Sequence, residues 1–170
     1  MKRSIILLAV IFVVWGNITA SAKDLTGQLG LGFNQQLRSA NLSARQWKSR
    51  KIGWEGIFGF RIGEAGYKNV EMGGKILYVI REEENMNVYA TGGIGFSIFK
   101  GMEVLGVEPD TEFNLRMVGG LGVEFFFQGL PNLSFGAEVN MGYSDIDFSS
   151  FGIEIDTIGV GIHYYFKSPL

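Results

Sequence analysis

The chain has 170 residues, a formal net charge of −2, 25 glycines, 14 phenylalanines, 3 prolines and no cysteine. The length predicts one domain, and the lack of cysteine in the sequence excludes disulfides, thiolate metal sites and a lipid-modified cysteine behind a signal peptide. The charge gives no indication of a nucleic-acid partner, and glycine mixed with aromatic residues is typical neither of collagen nor of disordered glycine-rich chains.

The first 22 residues have the composition of a secretory signal peptide. Lys2 and Arg3 form a positive start, residues 5–15 form an apolar run, and Ala20-Ser21-Ala22 is a cleavage motif. The apolar run is too short for a membrane-spanning helix, although a short amino-terminal membrane anchor is the alternative. We therefore predict a signal peptide at residues 1–22 and a single β-barrel domain at residues 23–170 of an exported protein.

The rest of the chain alternates between bulky apolar residues and small or polar residues, which is the period of a strand with one apolar face. Seven segments show this pattern clearly, at residues 25–34, 52–62, 70–81, 88–98, 113–127, 133–143 and 151–166. Residues 41–48 are weaker, with Ser43, Arg45 and Trp47 on one face. We accept them as an eighth strand because single-chain bacterial barrels have an even number of strands.

The connections and the aromatic residues indicate a barrel in a membrane. The predicted connections are residues 35–40, 63–69, 100–112 and 144–150 at one end, and the shorter turns 49–51, 82–87 and 128–132 at the end that carries the termini. Aromatic residues on the bulky faces fall near both ends, as the two interfacial girdles of a membrane barrel require. A soluble barrel, the alternative, would turn its large aromatic residues inward.

These segments together resemble the small OmpA-type, eight-stranded outer-membrane β-barrel proteins. The motifs that carry the resemblance are residues 27–33, 122–127, the turn Leu130-Pro131-Asn132 with residues 133–138 after it, and the closing residues 162–166. The resemblance covers the whole chain after residue 22. It implies an all-β, eight-stranded antiparallel up-and-down transmembrane barrel in the bacterial outer membrane.

The resemblance also implies the partners of the protein. A monomeric barrel would contact outer-membrane lipid and lipopolysaccharide, and the barrel-assembly machinery would recognise its last strand. The predicted assembly strand presents the apolar residues Ile158, Val160, Ile162, Tyr164 and Phe166. Four residues, Lys167 to Leu170, follow the terminal aromatic residue and depart from the pattern of the family.

The predicted inward faces carry eight charged residues, four of each sign. They are Arg45, Glu55, Arg61, Glu71, Lys75, Arg116, Glu124 and Glu138. An eight-stranded barrel has an interior that side chains fill, so these charges must pair with one another. We interpret them as a structural salt-bridge network that plugs the lumen. A gated narrow pore, in which the pairs exchange partners, is the alternative.

The sequence gives little support for catalysis or for a cofactor. His163 is the one histidine, and we expect it to lie in the lumen and to hydrogen-bond a glutamate. The glycine clusters at residues 92–95 and 119–122 lack the strand–turn–helix context of a nucleotide-binding loop. No metal site is predicted, because a transition-metal site would need further histidines or cysteines.

Acidic residues in the predicted outer loops leave two interpretations open. They are Glu103, Glu108, Asp110, Glu112, Asp145 and Asp147. Their carboxylates could bridge divalent cations among lipopolysaccharide phosphates, or they could simply be solvated. We predict a non-enzymatic outer-membrane barrel that is structural or adhesive through its extracellular loops and has a largely closed lumen. A narrow porin-like channel for small solutes is the alternative function.

Overall fold

The computed structural model describes residues 23–35, 41–63, 67–101, 110–127, 129–145 and 153–167, with the backbone alone for the strand residues among 143–158. Its eight strands are β1 (Gln28–Asn34), β2 (Asn41–Trp47), β3 (Ile52–Ile62), β4 (Lys68–Glu83), β5 (Met86–Lys100), β6 (Thr111–Phe127), β7 (Leu130–Asp145) and β8 (Ile153–Lys167). Each strand pairs antiparallel with the next, and β8 pairs with β1 to close the barrel.

This architecture confirms the predicted eight-stranded antiparallel up-and-down barrel. The weak second strand is present, and six of its residues pair with β3. The predicted signal peptide at residues 1–22 lies outside the described residues. Within the described ranges, no helix is long and apolar enough to cross a membrane.

The outward face of the barrel is apolar, and its aromatic residues lie towards both ends. We call the end where β1 begins and β8 ends the termini end, and the opposite end the loop end. Exposed aromatic residues near the termini end are Trp54, Tyr78, Phe125, Phe127, Phe135, Tyr164 and Phe166, and those near the loop end are Phe33, Phe60, Phe96 and Phe113. The side chain of Tyr143, at the end of the predicted segment 133–143, lies outside the described residues.

The turns at the termini end are tighter than the sequence indicated. β4 runs to Glu83 and β5 begins at Met86, so two residues separate them. The predicted turn at 128–132 is wrong in its second half, because β7 already begins at Leu130. The pairing shifts register between Phe126 and Phe127, so that Phe127 pairs with Leu130. Pro131 is then the second residue of a strand, near the start where proline is tolerated.

The predicted alternation of inward-facing and outward-facing residues was wrong at two positions. The alternation predicted for residues 25–34 would turn Leu25 outward with Leu29, but Leu25 is buried. Gly27 lies between them with a φ of 74°, in the left-handed region that favours glycine, and this reverses the face that Leu25 presents. Continued alternation through residues 70–81 would turn Arg81 inward, but the register shifts between Val79 and Arg81, and the Arg81 side chain is exposed.

Candidate functional site

The lumen at the termini end is filled by apolar and aromatic side chains. We call this group the apolar plug, and its members are Leu25, Trp47, Leu77, Val79, Tyr89, Phe126 and Tyr165. Glycines on neighbouring strands make room for the two tyrosines. A Cβ at Gly30 would lie 2.8 Å from the Tyr165 ring, and a Cβ at Gly122 would lie 2.5 Å from the Tyr89 ring. The plug therefore depends on inward glycines that the tyrosine rings cover.

The segment before β1 lies against this plug. Its backbone is joined to β2 by a hydrogen bond from the Gly27 amide to the Trp47 carbonyl, at 2.9 Å. The Lys23 ammonium lies 4.7 Å from the centre of the Phe126 ring. Partial burial lowers the pKa of Lys23, against the opposing effect of the Glu124 carboxylate. These contacts place Leu25 across the end of the lumen.

Next to the plug lies a group of buried charged side chains, which we call the ionic cluster. Arg45 contacts three carboxylates, with distances of 2.8 Å to Glu55, 3.2 Å to Glu124 and 3.4 Å to Glu138. Lys75 lies 2.9 Å from Glu55 and 3.1 Å from Glu138. All five residues are at most 4% exposed. Buried charges need such partners, because a buried charge without a partner costs several kcal/mol.

Hydroxyl groups donate further hydrogen bonds to two of these carboxylates. Tyr89 donates a hydrogen bond to Glu138 at 2.7 Å. Tyr165 and Ser134 both donate to Glu124 at 2.8 Å. The two tyrosines belong to the apolar plug as well, so the plug and the ionic cluster form one continuous packed unit. The sequence pattern placed both tyrosines inward but gave no signal that they bind the glutamates.

Glu71, which the sequence predicted as part of the charge network, accepts hydrogen bonds from two amide side chains. Asn69 donates to it at 2.7 Å and Asn41 donates at 3.2 Å. Glu71 is buried and makes a further interaction within the chain. Glu71 lies four residues before Lys75 on β4, nearer the loop end than the ionic cluster.

Two of the predicted network cations also lie nearer the loop end. Arg61 is exposed and lies six residues beyond Glu55 on β3, about 20 Å along the strand. Arg116 is half-buried and lies eight residues from Glu124 on β6, about 27 Å along the strand. It lies beside Gly142, where a Cβ would be 3.3 Å from the Arg116 Nε atom. The eight predicted charged residues therefore lie at different heights between the termini end and the loop end of the barrel.

The ionic cluster has three carboxylates but two cations, and His163 borders it. The His163 Nε2 atom lies 3.4 Å from the Glu55 Oε1 atom and also hydrogen-bonds Ser43. The same Glu55 oxygen accepts hydrogen bonds from Asn34 at 2.7 Å and from Ser43 at 2.8 Å.

Ser43, His163 and Glu55 have the residue types of a hydrolase triad but not its geometry. In a triad, the acid binds the imidazole nitrogen opposite the serine. Here Glu55 and Ser43 lie on the same side of the ring, and among the described atoms Nδ1 of His163 has no hydrogen-bond partner. All three residues are buried, so substrate has no access to them. Within the described ranges, no group of acidic or histidine side chains is arranged to hold a metal ion.

The predicted assembly strand is β8. Val160, Tyr164 and Phe166 are exposed on the outward face, and Ile162 is half-buried there. The side chain of Ile158 lies outside the described residues. The Phe166 position pairs with Leu29 of β1, next to the closure of the barrel.

Comparisons with known proteins identify the fold. No family model and no curated protein matches the chain. Among solved structures, the N-terminal β-barrel domain of Pseudomonas aeruginosa OprF matches with a TM-score of 0.56 and 9% identity, over 85% of this chain and 100% of that one.

Two further solved structures are similar at lower scores. Ail, the attachment invasion locus protein of Yersinia pestis, has a TM-score of 0.45 and 18% identity, over 83% of this chain and 99% of that chain. Neisserial surface protein A has a TM-score of 0.41 and 12% identity, over 82% and 94%. With its closed barrel and the match to OprF, the chain has the fold of the small OmpA-type eight-stranded outer-membrane β-barrel proteins.

Proposed function

We propose that the protein is a non-enzymatic β-barrel of the bacterial outer membrane, and that it acts structurally or adhesively through its extracellular loops. The location is supported by the apolar outward face, which is exposed on every strand where its side chains are described. The free-energy cost of exposing such a surface to water is removed in a lipid bilayer. In this membrane the termini end faces the periplasm and the loop end faces the outside.

The filling of the lumen by side chains is the observation that supports this choice of function. The apolar plug and the ionic cluster leave the side chains of Tyr89, Tyr165, Leu77 and Glu124 without exposed surface. A small solute would have to break several buried contacts to pass through. We therefore propose a largely closed lumen, and the porin-like channel remains the competing function. With a closed lumen, activity resides in the loops rather than in the barrel interior.

The partners follow from this location. The protein contacts outer-membrane lipid and lipopolysaccharide, binds no nucleic acid and works as a monomer. Its last strand, with Phe166 near the end, is recognised by the barrel-assembly machinery. The residues of the ionic cluster act in stability, since they are buried away from any loop partner.

Cell fractionation tests the location, and a loop replacement tests the function. The mature protein is expected in the outer-membrane fraction, where boiling changes its migration in a detergent gel; a soluble periplasmic protein would contradict the location. Replacing residues 102–109 by a glycine–serine linker of equal length leaves the barrel strands intact. Loss of attachment to surfaces with an intact envelope would indicate the adhesive role. A leaky envelope in a strain lacking the protein, restored by the linker variant, would indicate the structural role.

A further inference from the structure

The five residues before β1 cross the termini end of the lumen as a separate piece of chain. We call residues 23–27 the amino-terminal segment. Leu25 is buried in the apolar plug, whereas Asp24, Thr26 and Gly27 are exposed. The segment therefore places one apolar side chain inside the lumen and keeps its small and polar residues outside.

A local turn gives the segment this shape. The Asp24 carboxylate accepts a hydrogen bond from the Thr26 amide at 2.9 Å, as in an Asx turn. The Gln28 amide donates to the Leu25 carbonyl, also at 2.9 Å. The positive φ of Gly27 then turns the chain into β1. These bonds lie within residues 24–28, so they can persist when the segment leaves the lumen.

Few backbone contacts join the segment to the barrel wall. Thr26 forms an isolated parallel bridge with Trp47, and the Gly27 amide donates to the Trp47 carbonyl at 2.9 Å. The ladders that close the barrel begin after this point, at Gln28 and Leu29 of β1. Elements with few bonds to their surroundings open at a lower free energy than strands inside a sheet. The segment can therefore be released while the eight strands stay paired.

The start of the segment carries a cation whose charged atom is buried. The Lys23 Nζ atom lies 4.7 Å from the centre of the Phe126 ring, and it has no hydrogen-bond partner in the part of the chain that the structure describes. Phe126 lies two residues beyond Glu124 on the inward face of β6. The hydrogen bonds that Glu124 accepts from described residues all end on its Oε1 atom, and its buried Oε2 atom has none. Lys23 and Glu124 thus lie close to one ring, and each has bonding capacity that the other can use.

We propose that the amino-terminal segment is a latch that closes the termini end of the lumen, held by Leu25 in the apolar plug and by the charge of Lys23 next to Glu124. Release of the latch admits water to the plug from this end and leaves the barrel wall closed. The inference rests on the proposed closed lumen, and it names the element that regulates access to that lumen.

Thiol labelling measures how often the latch opens. The sequence has no cysteine, so a single introduced cysteine reacts alone. Val79→Cys places a thiol in the apolar plug, and Thr91→Cys places one in the next buried layer towards the loop end. Each barrel, purified in detergent micelles, is treated with a charged, water-soluble maleimide, and the rate of labelling is followed. Altered migration on boiling verifies that every variant is folded.

Two substitutions in the segment weaken the latch. Leu25→Ala should speed the labelling of Val79→Cys about 30-fold, because truncating a buried leucine shifts the opening equilibrium by at least that factor. Lys23→Met keeps an unbranched apolar side chain and removes the charge, so it should speed labelling about 5-fold, as expected for a cation lost from an aromatic ring. Lys23→Arg keeps the charge and should restore slow labelling.

Two controls remove the same groups from exposed positions at the termini end. They are Leu130→Ala and Lys48→Met, and neither should change the labelling of Val79→Cys. Labelling of Thr91→Cys should stay slow in every variant, because the strands around it remain paired when the latch is released. A parallel rise at Val79→Cys and Thr91→Cys would reveal a general loosening of the barrel and would overturn the latch.

The remaining outcomes separate the latch from the closed lumen. Slow labelling of Val79→Cys that Leu25→Ala does not accelerate would overturn the latch and leave the closed lumen standing. Rapid labelling of Val79→Cys without any change in the segment would contradict closure at this end, and the latch with it. A rise in Lys23→Met that persists in Lys23→Arg would overturn the role of the Lys23 charge.

Discussion

The indole nitrogen of Trp47 donates a hydrogen bond to the hydroxyl oxygen of Tyr165, at 3.2 Å, inside the barrel. The same hydroxyl donates to a carboxylate oxygen of Glu124, at 2.8 Å. All three side chains are buried. One phenol group thus joins the apolar plug to the ionic cluster. This phenol accepts the hydrogen bond of the Trp47 indole and stabilises the negative charge of Glu124.

Removing this hydroxyl should destabilise the barrel. Tyr165→Phe keeps the ring in the plug but removes the donor to Glu124. We expect the free energy of unfolding to fall by about 1.5–3 kcal/mol, the range for hydrogen bonds to charged groups. Tyr164→Phe is the matched control, because its side chain is 54% exposed on the outward face. Urea unfolding in lipid vesicles measures both, and equal losses would contradict the role of the hydroxyl.

Two arginines that the sequence assigned to one network should differ in their contribution to the stability of the barrel. Arg45→Met leaves three buried carboxylates with one cation, so we expect a loss of about 3–5 kcal/mol or failure to fold. Arg61→Met removes an exposed cation near the loop end and should change stability by about 0.5 kcal/mol or less. The same urea experiment measures both variants. A large effect of Arg61→Met would indicate that the two arginines belong to one network.

This contrast shows what the sequence could predict. Alternation assigned Arg45, Glu55 and Glu124 to the inward face, because a period of two identifies the face of a strand. It could not rank these residues by height, since height depends on the register between strands. The distance of Arg61 from Glu55 and of Arg116 from Glu124 can be counted along β3 and β6, but the carboxylates that meet Arg45 depend on the register. Hydroxyl partners such as Tyr165 were missed for the same reason.

Two adjacent glycines should respond in opposite ways to alanine. Gly93 faces the lumen, and a Cβ there would collide with the carbonyl oxygen of Gly74. Gly92 faces outward, with no described atom within 4 Å of an added Cβ. Gly93→Ala should therefore lower stability by about 1–3 kcal/mol or prevent closure, as overpacking does. Gly92→Ala should be neutral or slightly stabilising. The yield of refolded barrel tests this, and similar yields for both variants would contradict it.

Local backbone conformation is the second feature that the sequence pattern did not predict. The alternating pattern included Leu25, and no periodic signal marks Gly27 as the residue at which the alternation of faces is interrupted. The register shift before Arg81 is equally invisible in the pattern, because a bulge inserts one residue without changing the composition. Both errors lie at the termini end, where the strands begin and end.

The last strand should contribute to assembly as a recognition signal, in addition to its contribution to the apolar outward surface. Phe166→Ala removes an outward aromatic residue from β8, and we expect poor insertion and degradation in the periplasm. Phe125→Ala removes a ring of similar exposure, 44% against 37%, from β6 at the same end. The amount of heat-modifiable barrel in the outer membrane measures assembly. Equal amounts in the two variants would show that Phe166 acts as a girdle residue and not as a recognition signal.

Single-channel recording of the wild-type barrel in planar lipid bilayers tests the closed lumen most directly. The buried contacts of the apolar plug and the ionic cluster predict no steady conductance at moderate voltage. Leu25→Ala combined with Leu77→Ala, which opens space in the plug, should raise the frequency of brief openings. A steady, large and ion-selective conductance of the wild type would contradict the closed lumen and would identify the protein as a channel.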